Sequence, residues 1–379
     1  MARFVAGFIQ YSKIEIMNNI TNIVKSRAEY FISGIQQVGI GVTNVREAWK
    51  WYKKHFGTDI RIFEDEAVAG LMLPYTDGKP RKRLAALAIN MQGGGGFEIW
   101  QYKDRIPLPP AAEVQLGDYG INAVKIKSHD VARTYQSFVS SGLSVSAPEE
   151  GPGKTENFFL TDPYNNMFQI VGGNSWFKNE NKLTGAAYGV IVGVSDMDKS
   201  VAFYRDILGY DETVYDTSGV FSDLAQMPGG KGNFRRALLK HKDKRQGAFS
   251  PVLGDSQIEL LQSLDRKPSS IFKGRLWGDL GFIHLCFDIH GMNALREECL
   301  LLGHPFTVDS STSFDMGEAA GHFSYIEDPD GTLIEFVETH RVPILKKLGW
   351  YLNLQKRDPH KSLPRWILKS LAFNRVKDF

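Results

Sequence analysis

Four side chains that can ligate a metal or move a proton interrupt runs that otherwise read as apolar strands. Glu98 stands in Phe97-Glu98-Ile99-Trp100, His284 in Gly281-Phe282-Ile283-His284-Leu285, Glu335 between Leu333 and Val337, and Glu259 among similar neighbours. Imidazole and carboxylate are the groups that bind divalent ions and transfer protons near neutral pH. Each has a plainer reading when taken alone. A glutamate on an amphipathic strand faces solvent, and a histidine in an apolar strand is a hydrogen-bonded core residue. His322 and Tyr325 lie on the strand before Asp328 and are candidate acid, base or substrate contacts, with Tyr325 more simply a core residue. The run Gly93-Gly94-Gly95-Gly96 precedes a strand and lacks a following Lys-Ser/Thr, so it reads as a flexible hairpin turn and not a phosphate loop. His129, His241 and His290 read as surface or loop residues.

The elements that must position these groups are repeated. Val38–Val45 and Val190–Met197 are alternating strands that run into helices, and the helices correspond at an offset of 152: Trp51 with Phe203, Tyr52 with Tyr204, Gly57 with Gly209. The closing glycines suit a left-handed helix C-cap. Ser195 with Asp198 reads as a variant capping box. Tyr52 and Tyr204 fall at core-facing spacing and read as packing residues. A second pair, Gly120–Val124 and Gly281–Leu285, repeats at 161, and each later reaches an Asp-Pro turn, at Asp162 and Asp328, before a final strand. The expected fold is α+β: four βαβββ modules at 34–103, 118–173, 186–264 and 280–340, forming two cupped mixed or antiparallel sheets. Paired by halves, these give a first domain over 34–173 and a second over 186–340.

These openings, above all Val194-Ser195-Asp196-Met197-Asp198-Lys199-Ser200, and the ending Asp328-Pro329-Asp330-Gly331 resemble the vicinal oxygen chelate superfamily of glyoxalase I, epimerases, extradiol dioxygenases and bleomycin-resistance proteins. The resemblance covers about 34–340. It implies a divalent metal in a cup, held from the first and last strands of two modules. Carried over by position, the ligand slots are Gln37 and Glu98 in module one, Ala123 and Gln169 in module two, Gly189 and Glu259 in module three, and His284 and Glu335 in module four. Neighbour pairing would give a three-residue site of Glu259, His284 and Glu335. Pairing module one with module four would give Gln37, Glu98, His284 and Glu335, a set similar to that of glyoxalase I, with Glu259 then nearly silent on substitution. The exchanged scheme accounts for all four intact slots and is the favoured expectation.

The resemblance implies a metal-dependent lyase or isomerase acting by enolisation of a small carbonyl or thioester, using Zn, Ni, Mn or Fe, with Glu335 and Glu98 as the proton-moving pair. An extradiol or 4-hydroxyphenylpyruvate dioxygenase-like oxygenase is the alternative enzyme, and a metal-free small-molecule binder is the third. Composition bounds the rest. The 379 residues carry a net charge of +2 and only two cysteines, Cys286 and Cys299, which argues against a disulfide scaffold or a globally basic nucleic-acid binder and makes the cytoplasm the default. No apolar run is long enough for a membrane helix. Phe4–Ile9 is too short for a signal peptide, and residues 1–33 read as an extension with Met17 a plausible second start. Residues 341–379 hold ten Lys and Arg against Asp358 and Asp378, a net +8 interleaved with Trp350, Trp366, Ile367, Leu371 and Phe373. The tail is expected to pack its apolar stripe on the body, with contact to a membrane or anionic ligand as the sharper option.

Overall fold

Every repeat begins as a strand and turns into a short amphipathic helix that returns the chain to its own sheet. The first comprises β1 (Phe31–Gly41), α1 (Val45–Phe56), β2 (Ile60–Ala69), β3 (Arg81–Ile89) and β4 (Gly96–Tyr102). The second has β5 (Gly120–Ser128), α2 (Val131–Ser140), β6 (Glu149–Glu150), β7 (Glu156–Thr161) and β8 (Met167–Gly172). The third has β9 (Thr184–Gly193), α3 (Met197–Asp206), β10 (Glu212–Gly219), β11 (Phe234–Lys240) and β12 (Gln257–Ser263). The fourth has β13 (Gly281–His290), α4 (Met292–Leu301), β14 (Val308–Asp309), β15 (Phe314–Met316), β16 (Ala319–Glu327) and β17 (Leu333–Thr339). The computed structural model describes residues 30–311, 314–316, 319–345 and 350–377, so Phe4–Ile9, Met17 and Lys346–Lys347 lie outside the described residues.

The helix ends follow the repeat with one correction. Asn44 caps α1, accepting from the N–H groups of Arg46 and Glu47, and Gly57 closes the helix at φ 65°. At the same offset Asp196, not Ser195, caps α3 by accepting from the Lys199 N–H. A carboxylate is the stronger acceptor at a positive helix end, and the Ser195 N–H instead donates to Asp330 at 2.8 Å. Tyr52 and Tyr204 are fully buried, as their spacing predicts. Each also hydrogen-bonds the aspartate of an Asp-Pro turn, Tyr52 with Asp162 at 2.5 Å and Tyr204 with Asp328 at 3.1 Å.

The two sheets do not follow the two halves of the sequence. One runs β14-β16-β17-β13-β1-β4-β3-β2, with β15 beside β16, and so joins module four to module one. The other runs β10-β11-β12-β9-β5-β8-β7-β6 and joins three to two. Within each sheet the first strands of the two modules meet antiparallel, β1 with β13 and β5 with β9. The main core joins the two sheets through the helices and includes Val38, Trp49, Phe56, Phe168, Val190 and Phe287. Smaller clusters line each concave face. The glycine run at 93–96 is not an open hairpin. It is buried, the Gly94 N–H donates to Val252 O and the Gly95 N–H to Ala187 O, and a Cβ on Gly95 would lie 2.9 Å from the Ile35 carbonyl oxygen. These glycines permit close backbone approach.

The tail packs on the body through Ile367 and Leu371 of the expected stripe, while Trp366 and Phe373 stay exposed. Leu363 and Leu368 are buried with Ile60, Met91, Phe177 and Val252. Arg375 pairs with Asp59 and, at 2.7 Å, with Glu180. Burial would raise the Glu180 carboxyl, but hydrogen bonds from Lys178 and Arg375 draw it down to about 2.

Candidate metal centre

Alternation along four central strands sends Gln37 of β1, Glu98 of β4, His284 of β13 and Glu335 of β17 into the same cup. The His284 Nε2 atom lies 3.0 Å from Glu335 and 3.3 Å from Glu98. The Gln37 amide donates to both carboxylates, at 3.3 Å and 3.4 Å. Ligand atoms of Glu98, His284 and Glu335 all fall within 4.8 Å of one another. Ions bound at about 2.0–2.6 Å require such convergence. Neither nitrogen of the buried His284 ring has a properly angled hydrogen-bond partner, and Gln37 Oε1 has none. Lone pairs that converge without satisfying one another fit a cation better than a closed polar network. Burial opposes charge on His284, yet Glu335 and Glu98 push its pKa up to about 10. A bound ion would take the place of that proton.

The surroundings keep these groups dry. Trp100, Tyr102, Trp277, Cys286, Phe323 and Tyr325 form the apolar lining. Trp277 lies parallel to the His284 ring at 6.3 Å, and Tyr325 meets it edge-on at 5.6 Å. Tyr325 is therefore at the cluster, opposite Glu335 on the neighbouring strand. His322 is not part of it: its Nε2 is held at 2.6 Å by Asp309, which also binds Arg296. A cavity of about 600 Å³ adjoins the cup, with Tyr75, Phe272, Trp277, Ile283 and Leu333 in its walls.

The second cup is closed by charge. Glu259, on β12, accepts from Lys125 at 2.6 Å, from Arg236 at 2.7 Å and from Tyr215 at 2.8 Å. Lys125 also donates to Gln169 at 2.5 Å, and Arg236 holds Asp223 in a two-bond pair. Burial would raise the Glu259 carboxyl, but Arg236 and Lys125 draw it down to about 2. Glu259 is thus engaged with the cations of its own cup and is not part of the His284 cluster. Lys125, Arg236 and Asp223 are missing from the sequence reading. The signal for Lys125 was its parity with Ala123 on β5, which puts both on the slot face.

Among the lesser histidines, His129 is exposed and stacks on Trp176 at 3.4 Å. His290 lies at the end of β13, 3.4 Å from Glu338. His241 is less a surface group than expected: it accepts from the Ser256 N–H, and burial with Arg245 nearby lowers its pKa to about 4.

The sequence matches the profile of the Glyoxalase family, described as the Glyoxalase/Bleomycin resistance protein/Dioxygenase superfamily, over residues 34–170 and 188–336. No curated protein matches it. Glyoxalase I from Zea mays is similar in structure at 15% identity and a TM-score of 0.51, over 80% of this chain and 92% of that one. A crystallised mutant of the maize enzyme reaches 0.54 at 15% identity, over 83% and 95%. A candidate dioxygenase from Bacillus subtilis gives 0.50 at 12%, over 81% and 86%. Likenesses at these identities establish the fold.

Proposed function

Because the chain belongs to the Glyoxalase/Bleomycin resistance protein/Dioxygenase superfamily, a fold that carries several chemistries, we propose that it is a metal-dependent lyase or isomerase of the glyoxalase or epimerase type. The observation that carries the reading is the pair of carboxylates from different modules, Glu98 and Glu335, that converge on the Nε2 atom of one imidazole at 3.3 Å and 3.0 Å. Gln37, Glu98, His284 and Glu335 would hold the ion. When bound there, it would supply Lewis-acid polarisation of a substrate carbonyl oxygen.

The chain's own residues do the rest. Glu335 takes the proton from the carbon beside the carbonyl and, with Glu98 opposite, delivers it to the adjoining carbon. Gln37 orients both carboxylates. The lining of Trp100, Trp277 and Tyr325 excludes water, which strengthens every charge interaction inside. The cavity beyond Trp277 receives the body of the substrate. An oxygenase of the two-histidine, one-carboxylate kind finds no second imidazole at this cluster among the described residues.

The test joins metal analysis to proton exchange. Purified protein reconstituted with Zn, Ni, Mn or Fe should retain one ion. It should also catalyse deuterium exchange at the α-carbon of a hemithioacetal or an α-branched thioester, read by NMR. Glu335→Gln should stop exchange with metal retained more than in His284→Ala. Failure to bind any of the four ions would overturn the reading in favour of a binding protein, and oxygen consumption with ferrous iron would overturn it in favour of the oxygenase.

A further inference from the structure

The tail's aromatic side chains divide between two faces. In the helix α5 (Arg365–Ser370) and the turn that follows it, Leu368 is 1% exposed, whereas Trp366 is 64% and Phe373 is 91% exposed. Phe373 is the most exposed large apolar side chain among the described residues. Ile367, Leu371 and Ala372 face the body beside Leu368. At about 100° per residue, Trp366, Lys369 and Phe373 share one outward arc of about 60°, whereas the Arg365 guanidinium turns to the body, donating to the Phe177 carbonyl and lying over its ring. The orientation is fixed from both ends, by Leu363 buried before the helix and by the pairing of Arg375 with Asp59 and Glu180 after it.

Basic residues neighbour the two rings in the sequence. Lys369 and Lys377 are exposed, and among the described residues neither is paired with an acid. The Lys53 ammonium donates to the Lys377 carbonyl at 3.0 Å and ties this end of the tail to α1. We propose that this face docks on an anionic lipid surface, with Trp366 and Phe373 entering the headgroup boundary and the lysines resting on lipid charge. Aromatic side chains suit that boundary because they combine a large apolar body with limited conformational freedom. Clustered Lys and Arg supply attraction that fades with salt.

Other occupants fit less well. A second copy meeting this face about a two-fold axis would set lysines against lysines. Two rings also fall far short of the roughly 800 Å² per partner of a stable interface. The segment 1–29 carries Arg3, Lys13, Lys25 and Arg27 against Glu15 and Glu29, so its net +2 does not complement a basic face. No helix among the described residues is long and apolar enough to cross a membrane, so the contact would be peripheral.

The experiment is co-sedimentation of the full chain with vesicles of phosphatidylcholine, with and without phosphatidylserine, at low and high salt. The expected result is binding to phosphatidylserine vesicles only, weakened by salt. Trp366→Ser with Phe373→Ser should lower the partition constant by about tenfold or more, and Lys369→Glu should lower it further. Neither ring is buried in the body, so circular dichroism melts and metal content should match the wild type. Absence of binding, or equal binding by the double variant, overturns the proposal. So does a mobility shift with RNA that the double variant weakens while vesicles leave the protein in solution.

Discussion

Glu98 and Glu259 hold the same position in the repeat, 161 residues apart, yet their neighbours give them opposite tasks. Around Glu98 the corresponding positions are small or apolar: Ala85 on β3 and Cys286 on β13. Around Glu259 those positions are Arg236 and Lys125, two cations that neutralise the carboxylate, and Arg236 also holds Asp223. One cup leaves ligands converging on a shared point, while the other supplies its own cations. A carboxylate in an apolar strand therefore says little until the side chains two residues away and on the next strand are known. Buried charge needs a partner, and the partner decides whether the site is open to an ion or shut.

The largest expected effect lies in the shut cup. Glu259→Ala should lower the unfolding free energy by about 3–5 kcal/mol, because Lys125 and Arg236 would remain buried without their shared anion. Urea titration of the metal-free protein measures this, and metal content of the folded fraction should be unchanged. The pH dependence has a definite sign. The Glu259 carboxyl is drawn down to about 2 from about 4.3 in an unfolded chain. Its contribution is thus fully present above about pH 4.3 and is lost as pH falls through about 2. Glu259→Gln should flatten that acid limb; an unchanged limb would assign it to other carboxylates.

The open cup should respond to metal. At a free-ion concentration of about 100 Kd the wild type should gain about 2.7 kcal/mol, seen as a raised urea midpoint. His284→Ala should abolish the gain, and Glu98→Ala should reduce it. Lys125→Met, in the other cup, should keep the gain whole while costing about 1–3 kcal/mol in the metal-free protein. That cost is smaller than for Glu259→Ala because Arg236 and Tyr215 still satisfy Glu259. Equal metal-linked losses from substitutions in both cups would break the comparison.

Much of this was legible from the sequence. The offsets of 152 and 161 marked four modules, and the ligand positions implied by the vicinal oxygen chelate resemblance picked out Gln37, Glu98, His284 and Glu335, which converge. What stayed hidden were contacts set by register between strands distant in the chain. Arg236 meets Glu259 because β11 lies antiparallel to β12, and Lys125 meets it because β5 lies across β9. The tail's tryptophan and phenylalanine were visible as a basic, aromatic stretch. Which rings turn inward depended on a docking surface made by Ile60, Met91 and Phe177, far away in sequence.

The smallest predicted effect concerns a residue with no side chain. Gly39 on β1 lies directly opposite His284 on β13, and a Cβ there would come within 2.4 Å of the imidazole Cε1 and 2.7 Å of Nδ1. In the other cup the bulk is reversed, with Ile191 on β9 opposite Ala123 on β5. The same exchange occurs one step along, where Gln37 faces Gly96 in the open cup and Gly189 faces Gln257 in the shut one. A Cβ on Gly189 would lie 1.9 Å from the Gln257 carbonyl oxygen, so a ligand cannot be restored there by one substitution. At these slot positions each sheet sets one large group against a glycine or alanine, and the His284 imidazole fills the space that a Cβ at position 39 would need. Gly39→Ala should push the ring off its position and weaken metal binding by about tenfold, or about 1.4 kcal/mol, while the metal-free protein still folds. Isothermal titration with zinc reads this directly. Unchanged affinity would mean that the ring shifts without cost, and the glycine opposite His284 would then be a consequence of strand packing alone.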